Sequence, residues 1–197
     1  MSLASFLLAA ALAQSAPPAP EGVPVAGPTA APAPITEPAT PPRAPRFAKM
    51  AVGSCGCSLY APPGLEFGAP EKSPDNADVW SGEVTTDGWA FGAVVVKFVS
   101  PMVATPDELE ELLVSYTAFL RGQLGVVSNA GVGRGHTMPD HAAARGVIDY
   151  WKDKDGDEWA IKGWVDAERL AVLFVRGKGT YPYLTAQQVF LDGFRFE

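Results

Sequence analysis

Proline is placed so unevenly along this chain that its distribution alone divides the molecule. Eleven of the 19 prolines lie between Pro17 and Pro45, which leaves eight for everything from Phe47 onward. A segment that rich in proline, alanine and threonine cannot bury enough apolar surface to offset the entropy of ordering it. The remainder, roughly 150 residues, is the usual size of a single core and buries about 70% of its unfolded surface. The expected layout is therefore a disordered linker over residues 14–47 and one domain over residues 48–197. The domain part contains no twenty-residue apolar run, no collagen period, no disulfide-dense framework and no fixed repeat.

The first residues predict export. Residues 3–13 form an apolar stretch too short to span a bilayer comfortably, and it closes on Ala11-Leu12-Ala13. That small-x-small pattern precedes a cleavage site, so residues 1–13 read as a signal peptide and Gln14 as the mature start, with a second site after Ala16. No Lys or Arg stands before the stretch, and no cysteine follows it to take a lipid. The expected address is periplasmic or extracellular, without a lipid anchor and with no stable membrane insertion after cleavage. Proline-rich chain extends at about 3.1 Å per residue, so the linker can reach on the order of 100 Å. A plain spacer accounts for it more simply than a polyproline segment held in an aromatic groove.

Charge excludes two partner classes. Asp and Glu number 22 against 15 Lys and Arg, for a net charge of −7, and nearly all of that excess falls in the domain. The basic residues are scattered. Nucleic-acid backbones and anionic membrane surfaces both require clustered positive charge, so neither is an expected partner.

Periodicity supplies the elements. Residues 57–60 and 65–67 read as short strands, separated by Ala61-Pro62-Pro63-Gly64. Residues 79–84 and 89–99 read as a hairpin about Thr86-Asp87-Gly88. In the second of these, Phe91, Ala93, Val95 and Val99 point one way and Val94, Val96 and Phe98 the other, which predicts a central strand covered on both faces. A helix is predicted from Pro106 to about Gln123. Thr105 and Glu108 make a capping box, Pro106 suits the first helical position, and Gly125 provides the stop. Leu109, Leu112, Leu113, Tyr116, Phe119 and Leu120 form its apolar stripe. The acidic first turn, with Asp107, Glu108, Glu110 and Glu111, suits the helix dipole better than catalysis. Residues 129–140 read as an irregular Gly-rich stretch. A meander follows over residues 144–152, 158–165 and 169–175, and a last helix is expected from Thr185, docked by Val189, Phe190, Leu191 and Phe194. Strands, helix, strands, helix is an α+β order with a largely antiparallel sheet.

Few residues suggest chemistry. Cys55-Gly56-Cys57 places two thiols about 6.6 Å apart along an extended strand, near the limit for a disulfide unless Gly56 bends the chain. The pair reads as two semi-buried cysteines or an inert bridge, with thiol–disulfide exchange as the sharper alternative. Exchange is weakened because no neighbouring cation or helix N-terminus lowers a thiol pKa. His136 and His141, the only histidines, complete a Cys2His2 set with Cys55 and Cys57, and Met138 adds a soft copper ligand. The Cys-x-Cys and His-x4-His spacings are looser than usual for zinc, so exposed loop histidines are the simpler expectation. Asp153-Lys154-Asp155-Gly156-Asp157 reads as a hairpin tip, not a calcium loop, because no helices flank it. Gly131, Gly133 and Gly135 lack the Lys-Ser/Thr end of a phosphate loop. Ser58, Ser81, Ser100, Ser115 and Ser128 sit at no nucleophile elbow. No metal, cofactor or catalytic residue is expected.

Two phrases carry a family likeness. Residues 60–70 (Tyr-Ala-Pro-Pro-Gly-Leu-Glu-Phe-Gly-Ala-Pro) and residues 186–194 (Ala-Gln-Gln-Val-Phe-Leu-Asp-Gly-Phe) resemble the opening and closing phrases of the PsbP-like α/β/α sandwich proteins. The resemblance covers about residues 50–197 and includes the mid-chain capped helix and the meander, while Cys55 and Cys57 depart from it. It implies an α/β/α sandwich, an exported protein and an accessory role, since the photosynthetic members assist photosystem assembly. The combined expectation is an exported, non-enzymatic binding or assembly-accessory domain whose partner is an envelope protein or small ligand. A periplasmic thiol–disulfide or metal-handling protein using Cys55 and Cys57 is the alternative.

Overall fold

The computed structural model describes residues 46–179 and 184–197. The expected signal peptide and all of the linker before Arg46 lie outside those residues. The described part is α+β and its strand pairing is antiparallel throughout.

Strands β1 (Ala48–Ala51) and β2 (Cys57–Ala61) begin a small sheet that the C-terminal strand completes. Strands β3 (Glu71–Lys72), β4 (Asp78–Thr86) and β5 (Trp89–Lys97) open the large sheet. Helix α1 (Pro106–Gln123) follows, then β6 (Val126–Asn129), β7 (Gly133–Met138), β8 (His141–Asp153), β9 (Asp157–Val165) and β10 (Arg169–Lys178). Helix α2 (Leu184–Asp192) and β11 (Arg195–Phe196) end the chain. The large sheet runs β3-β4-β5-β10-β9-β8-β6, with β7 also paired to β8, and the small one runs β1-β2-β11.

The two-faced reading of β5 holds, because two separate cores sandwich the large sheet. Phe91, Ala93 and Val95 pack with Leu59, Phe190, Phe194 and Phe196 under the small sheet and α2. Val96 packs with Leu109, Leu113 and Tyr116 of α1 on the other face. Gly163 lets α1 sit close, since a Cβ there would meet Leu113 Cδ1 at 2.8 Å. Asp87 (φ 52°) and Gly88 (φ 79°) form the tight turn of the β4–β5 hairpin, with both central residues in the left-handed region that such turns demand.

Helix α1 starts and stops as its caps dictate. Thr105 Oγ1 accepts the Glu108 N–H at 3.3 Å, while Glu108 Oε2 accepts the Thr105 N–H at 2.7 Å, which holds the Glu108 carboxyl below its usual pKa. Gly125 (φ 64°) turns the chain out of the helix. Thr105→Ala is expected to cost about 1 kcal/mol in chemical denaturation, and Thr105→Ser to restore most of it. Equal stability of the alanine variant would mean that packing alone sets this helix start.

Several expectations need correction. Residues 65–67 are not a strand, although Leu65 is buried in the core. The stretch 129–140 is not irregular: it holds the end of β6 and all of β7, whose glycines sit beside shifts in register along β8. Strand β5 ends at Lys97, so Val99 lies outside it and is exposed. Leu112 and Val189 are also exposed, while Thr117 is buried on α1. Helix α2 begins at Leu184, ahead of the expected Thr185 cap.

Candidate binding groove

The two cysteines are joined in a disulfide around Gly56, with Cα atoms 5.4 Å apart. Gly56 has φ +70°, the left-handed bend the sequence needed for closure. The bridge is buried, with Cys55 at 1% and Cys57 at 2% exposure, so an attacking thiolate has no line to either sulfur. The folded chain is expected to show no reactive thiol and to keep its bridge in millimolar dithiothreitol, losing it once denaturant is added. Reduction without denaturant, read by intact mass, would contradict this.

The histidines are not exposed loop residues, because both lie on strands and bond to charged side chains. His141 Nε2 is 3.1 Å from Asp166 Oδ2, and its ring meets Phe196 edge-on. Asp166 shapes the β9–β10 turn by accepting the N–H groups of Glu168 and Arg169, and it also accepts Arg169 Nε and Nη2. The guanidinium continues to the cysteine loop, where Nη1 donates to Gly56 O at 2.6 Å and to Glu197 O at 3.1 Å. Met138 is buried, and its sulfur accepts the Phe196 N–H.

His136 belongs to a different cluster. Its Nδ1 is 2.9 Å from the ammonium of Lys162, which is 1% exposed, lies over the Trp164 ring and pairs with Asp192 Oδ1 at 3.2 Å. Burial lowers the pKa of Lys162, against the pull of Asp192. Burial also lowers that of His136, with the Lys162 charge adding to it. The proposed Cys2His2 set is therefore dispersed: the thiols are bridged, one histidine faces a carboxylate and the other an ammonium. Among the described residues no group of three or more His, Cys, Asp or Glu side chains is placed to hold a metal.

The remaining motifs resolve into structure. Asp153 Oδ1 accepts the N–H groups of Asp155 and Asp157, and Oδ2 accepts Trp159 Nε1, so this carboxylate builds the hairpin tip. Burial opposes ionisation of Asp153, but these bonds and Lys178 outweigh it and lower its pKa. The acidic turn of α1 binds β7: Glu110 accepts the Gly135 N–H and Glu111 pairs with Arg134.

Sequence reading did not find a groove that the described residues form on the surface. An open groove of about 340 Å³ crosses the α2-side face of the large sheet at one end. Register defines its floor. Trp89, Gly177, Glu158, Lys152 and Ser128 follow one another across β5, β10, β9, β8 and β6, and Phe91, Val175, Ala160 and Tyr150 form the row behind. Four strand spacings make the first row roughly 19 Å long. Gly177 carries no side chain because the Trp89 indole lies over it; a Cβ there would be 2.7 Å from Trp89 Cδ2. Gly179 and Leu184 border the groove, and its rim holds two large apolar side chains in solvent, Tyr150 (51% exposed) and Leu184 (60% exposed). Trp89 and Tyr150, distant along the chain, come to one groove only through the strand order, which no local sequence signal shows.

No protein-family model matches the chain, and no curated protein matches it. Among solved structures it is similar to an immunity protein, TplEi of the T6SS from Pseudomonas aeruginosa, complexed with "L" peptide. That similarity stands at 13% identity and a TM-score of 0.34, over 80% of this chain. The chain spans only 56% of the length of that protein. At that level the likeness carries no argument. No helix among the described residues is long and apolar enough to cross a membrane.

Proposed function

We propose that this chain is an exported, non-enzymatic accessory domain that binds an extended, proline-bearing segment of a protein partner in the groove between β6 and α2. The groove carries the reading. It is open, with Trp89 in its floor and Tyr150 and Leu184 on its rim, and Glu158 and Lys152 supply polar contacts. Proline-rich segments are recognised in this way, on aromatic-lined grooves, because their polyproline helix is already ordered and loses little entropy on docking. The net charge of −7 favours a neutral or basic segment. A sheet with α1 on one face and α2 with the small sheet on the other supports the PsbP-like reading, and a buried disulfide suits an oxidising compartment. His136 and His141 each bond to a charged side chain, and neither lines the groove.

Titration of the full chain with decaproline, followed by amide NMR, tests the reading. Shifts are expected at Ser128, Tyr150 and Lys152, and they should disappear in Tyr150→Ala. Absence of groove shifts at 10-fold excess over about 1 mM peptide, the weak end of such affinities, would overturn it.

A further inference from the structure

We propose that the Cys55–Cys57 bridge is a redox latch on the C-terminal strand. Formed during folding, it locks β11 onto β2, and the dithiol chain leaves β11 undocked. The latch operates independently of the groove.

As a cross-link the bridge contributes little. It joins residues separated by 2 in sequence, and so short a loop removes little chain entropy from the unfolded state. Its effect is local. It holds Gly56 at φ +70° in the turn between β1 and β2, where Val52 N–H donates to Cys57 O at 2.9 Å and Cys55 N–H to Val52 O at 3.2 Å.

That bend aims one carbonyl. Gly56 O accepts Arg169 Nη1 at 2.6 Å and Glu197 N–H at 2.8 Å, so donors from the β9–β10 turn and from the end of the chain converge on it. Strand β11 is otherwise thinly held. Its register on β2 pairs Arg195 with Ser58 and Phe196 with Cys57, itself a bridge residue. The Phe196 N–H goes to the Met138 sulfur, a weak acceptor.

Opening the bridge loosens this junction from two sides. Glycine leaves a fixed φ more readily than any other residue, so Gly56 O turns away from both donors. Unbonded sulfurs also need more room than bonded ones, and both lie in a packed core at 1% and 2% exposure. The adjustment falls on the nearest short element, which is β11. Phe190 and Phe194 belong to the larger apolar cluster, so the large sheet and α2 keep their packing.

The oxidant required is a small disulfide such as glutathione disulfide. One cysteine thiolate attacks it, releases one glutathione thiolate and leaves a mixed disulfide. The second cysteine thiolate attacks the protein sulfur of that mixed disulfide and releases the other glutathione. Two protons and two electrons thereby pass from the cysteines to two glutathione thiols. Docking of β11 then buries the bridge, so the closed form resists reductant while the open form takes up oxidant.

The test compares the full chain in three forms: bridged, as the dithiol refolded in dithiothreitol, and as the Cys55→Ala/Cys57→Ala variant. The latch predicts amide exchange at Phe196 and Glu197 faster by at least about tenfold in both bridge-free forms, with Ile161 and Leu173 unchanged. The His141 ring resonances should shift with it, because that ring meets Phe196 edge-on. The native dithiol should react with iodoacetamide, and glutathione disulfide should restore slow exchange as the mass falls by two hydrogens. Equal exchange at Phe196 and Glu197 in all three forms would overturn the latch. Lost protection at Ile161 and Leu173 as well would also overturn it, by making the bridge a support of the whole fold. So would a folded dithiol whose thiols do not react.

Discussion

Replacing Arg169 by alanine is expected to remove about 3–5 kcal/mol of stability, a fall in melting temperature of roughly 10 °C. The size follows from what would be left behind. Arg169 and Asp166 are both more than nine-tenths buried, and their fork-like contact uses Nε at 3.1 Å and Nη2 at 2.8 Å. Without the guanidinium, the Asp166 carboxylate keeps its two turn N–H donors and the His141 ring, but it loses the two guanidinium hydrogen bonds and their charge. Gly56 O and Glu197 O lose the Nη1 donor, and the Phe196 face loses the cation stacked 4.7 Å above it. A buried charge stripped of its partner costs far more than the net gain the intact pair had offered.

The position of Arg169 explains why such a pair is tolerated. One side chain ties the β9–β10 turn to the disulfide loop and to the last residue of the chain, and Glu197 N–H also donates to Gly56 O. The small sheet has only three short strands, and these cross-links add to the apolar core that holds it on the large one. Arg169→Lys keeps the charge but cannot reach both carbonyls and Asp166, so it should recover less than half of the loss. A double-mutant cycle with Asp166→Asn isolates the pair. A loss under about 1 kcal/mol for Arg169→Ala would show that water replaces the guanidinium, as at an exposed ion pair.

What could be read in the sequence was whatever local chemistry decides. The capping box at Thr105, the Asp87-Gly88 turn, the α1 stripe and the two faces of β5 all follow from residues within a few positions of one another. Edge elements were harder. Strands β1, β3 and β11 are only two to four residues long, so no alternation marks them. Strand β7 was hidden by Gly131, Gly133 and Gly135, which signal looseness locally while the Ile148 side of β8 supplies the missing order. The site was less legible than the fold. His136 and His141 sit five residues apart, yet β7 and β8 send one to Lys162 and the other to Asp166. Trp89 and Tyr150 are separated by 61 positions and share a groove only because β10 and β9 lie between their strands.

Lys162→Met should make the protein more stable, by about 1–2 kcal/mol, although it deletes an ion pair and a hydrogen bond. The lysine is desolvated while its carboxylate partner is not: Asp192 keeps a side-chain exposure of 56% and loses little when left alone. Methionine fills the same space between His136 and Trp164 without a charge to bury. The pH dependence provides the signature. Because the folded pKa of Lys162 lies below its unfolded value, the unfolded chain binds more protons between the two. Stability of the unaltered protein therefore gains as pH rises through that alkaline window, whereas the methionine variant lacks the gain. In acid the reasoning applies to His136, whose folded pKa is also lowered. Its contribution is present above the ordinary histidine range and is lost as pH falls through the folded value. Removing the Lys162 charge should raise the His136 pKa, visible as an upfield-to-downfield titration of its ring protons at higher pH, and should soften the acid loss. A destabilised Lys162→Met variant with an unmoved His136 titration would mean that the Asp192 pair, not desolvation, dominates this cluster.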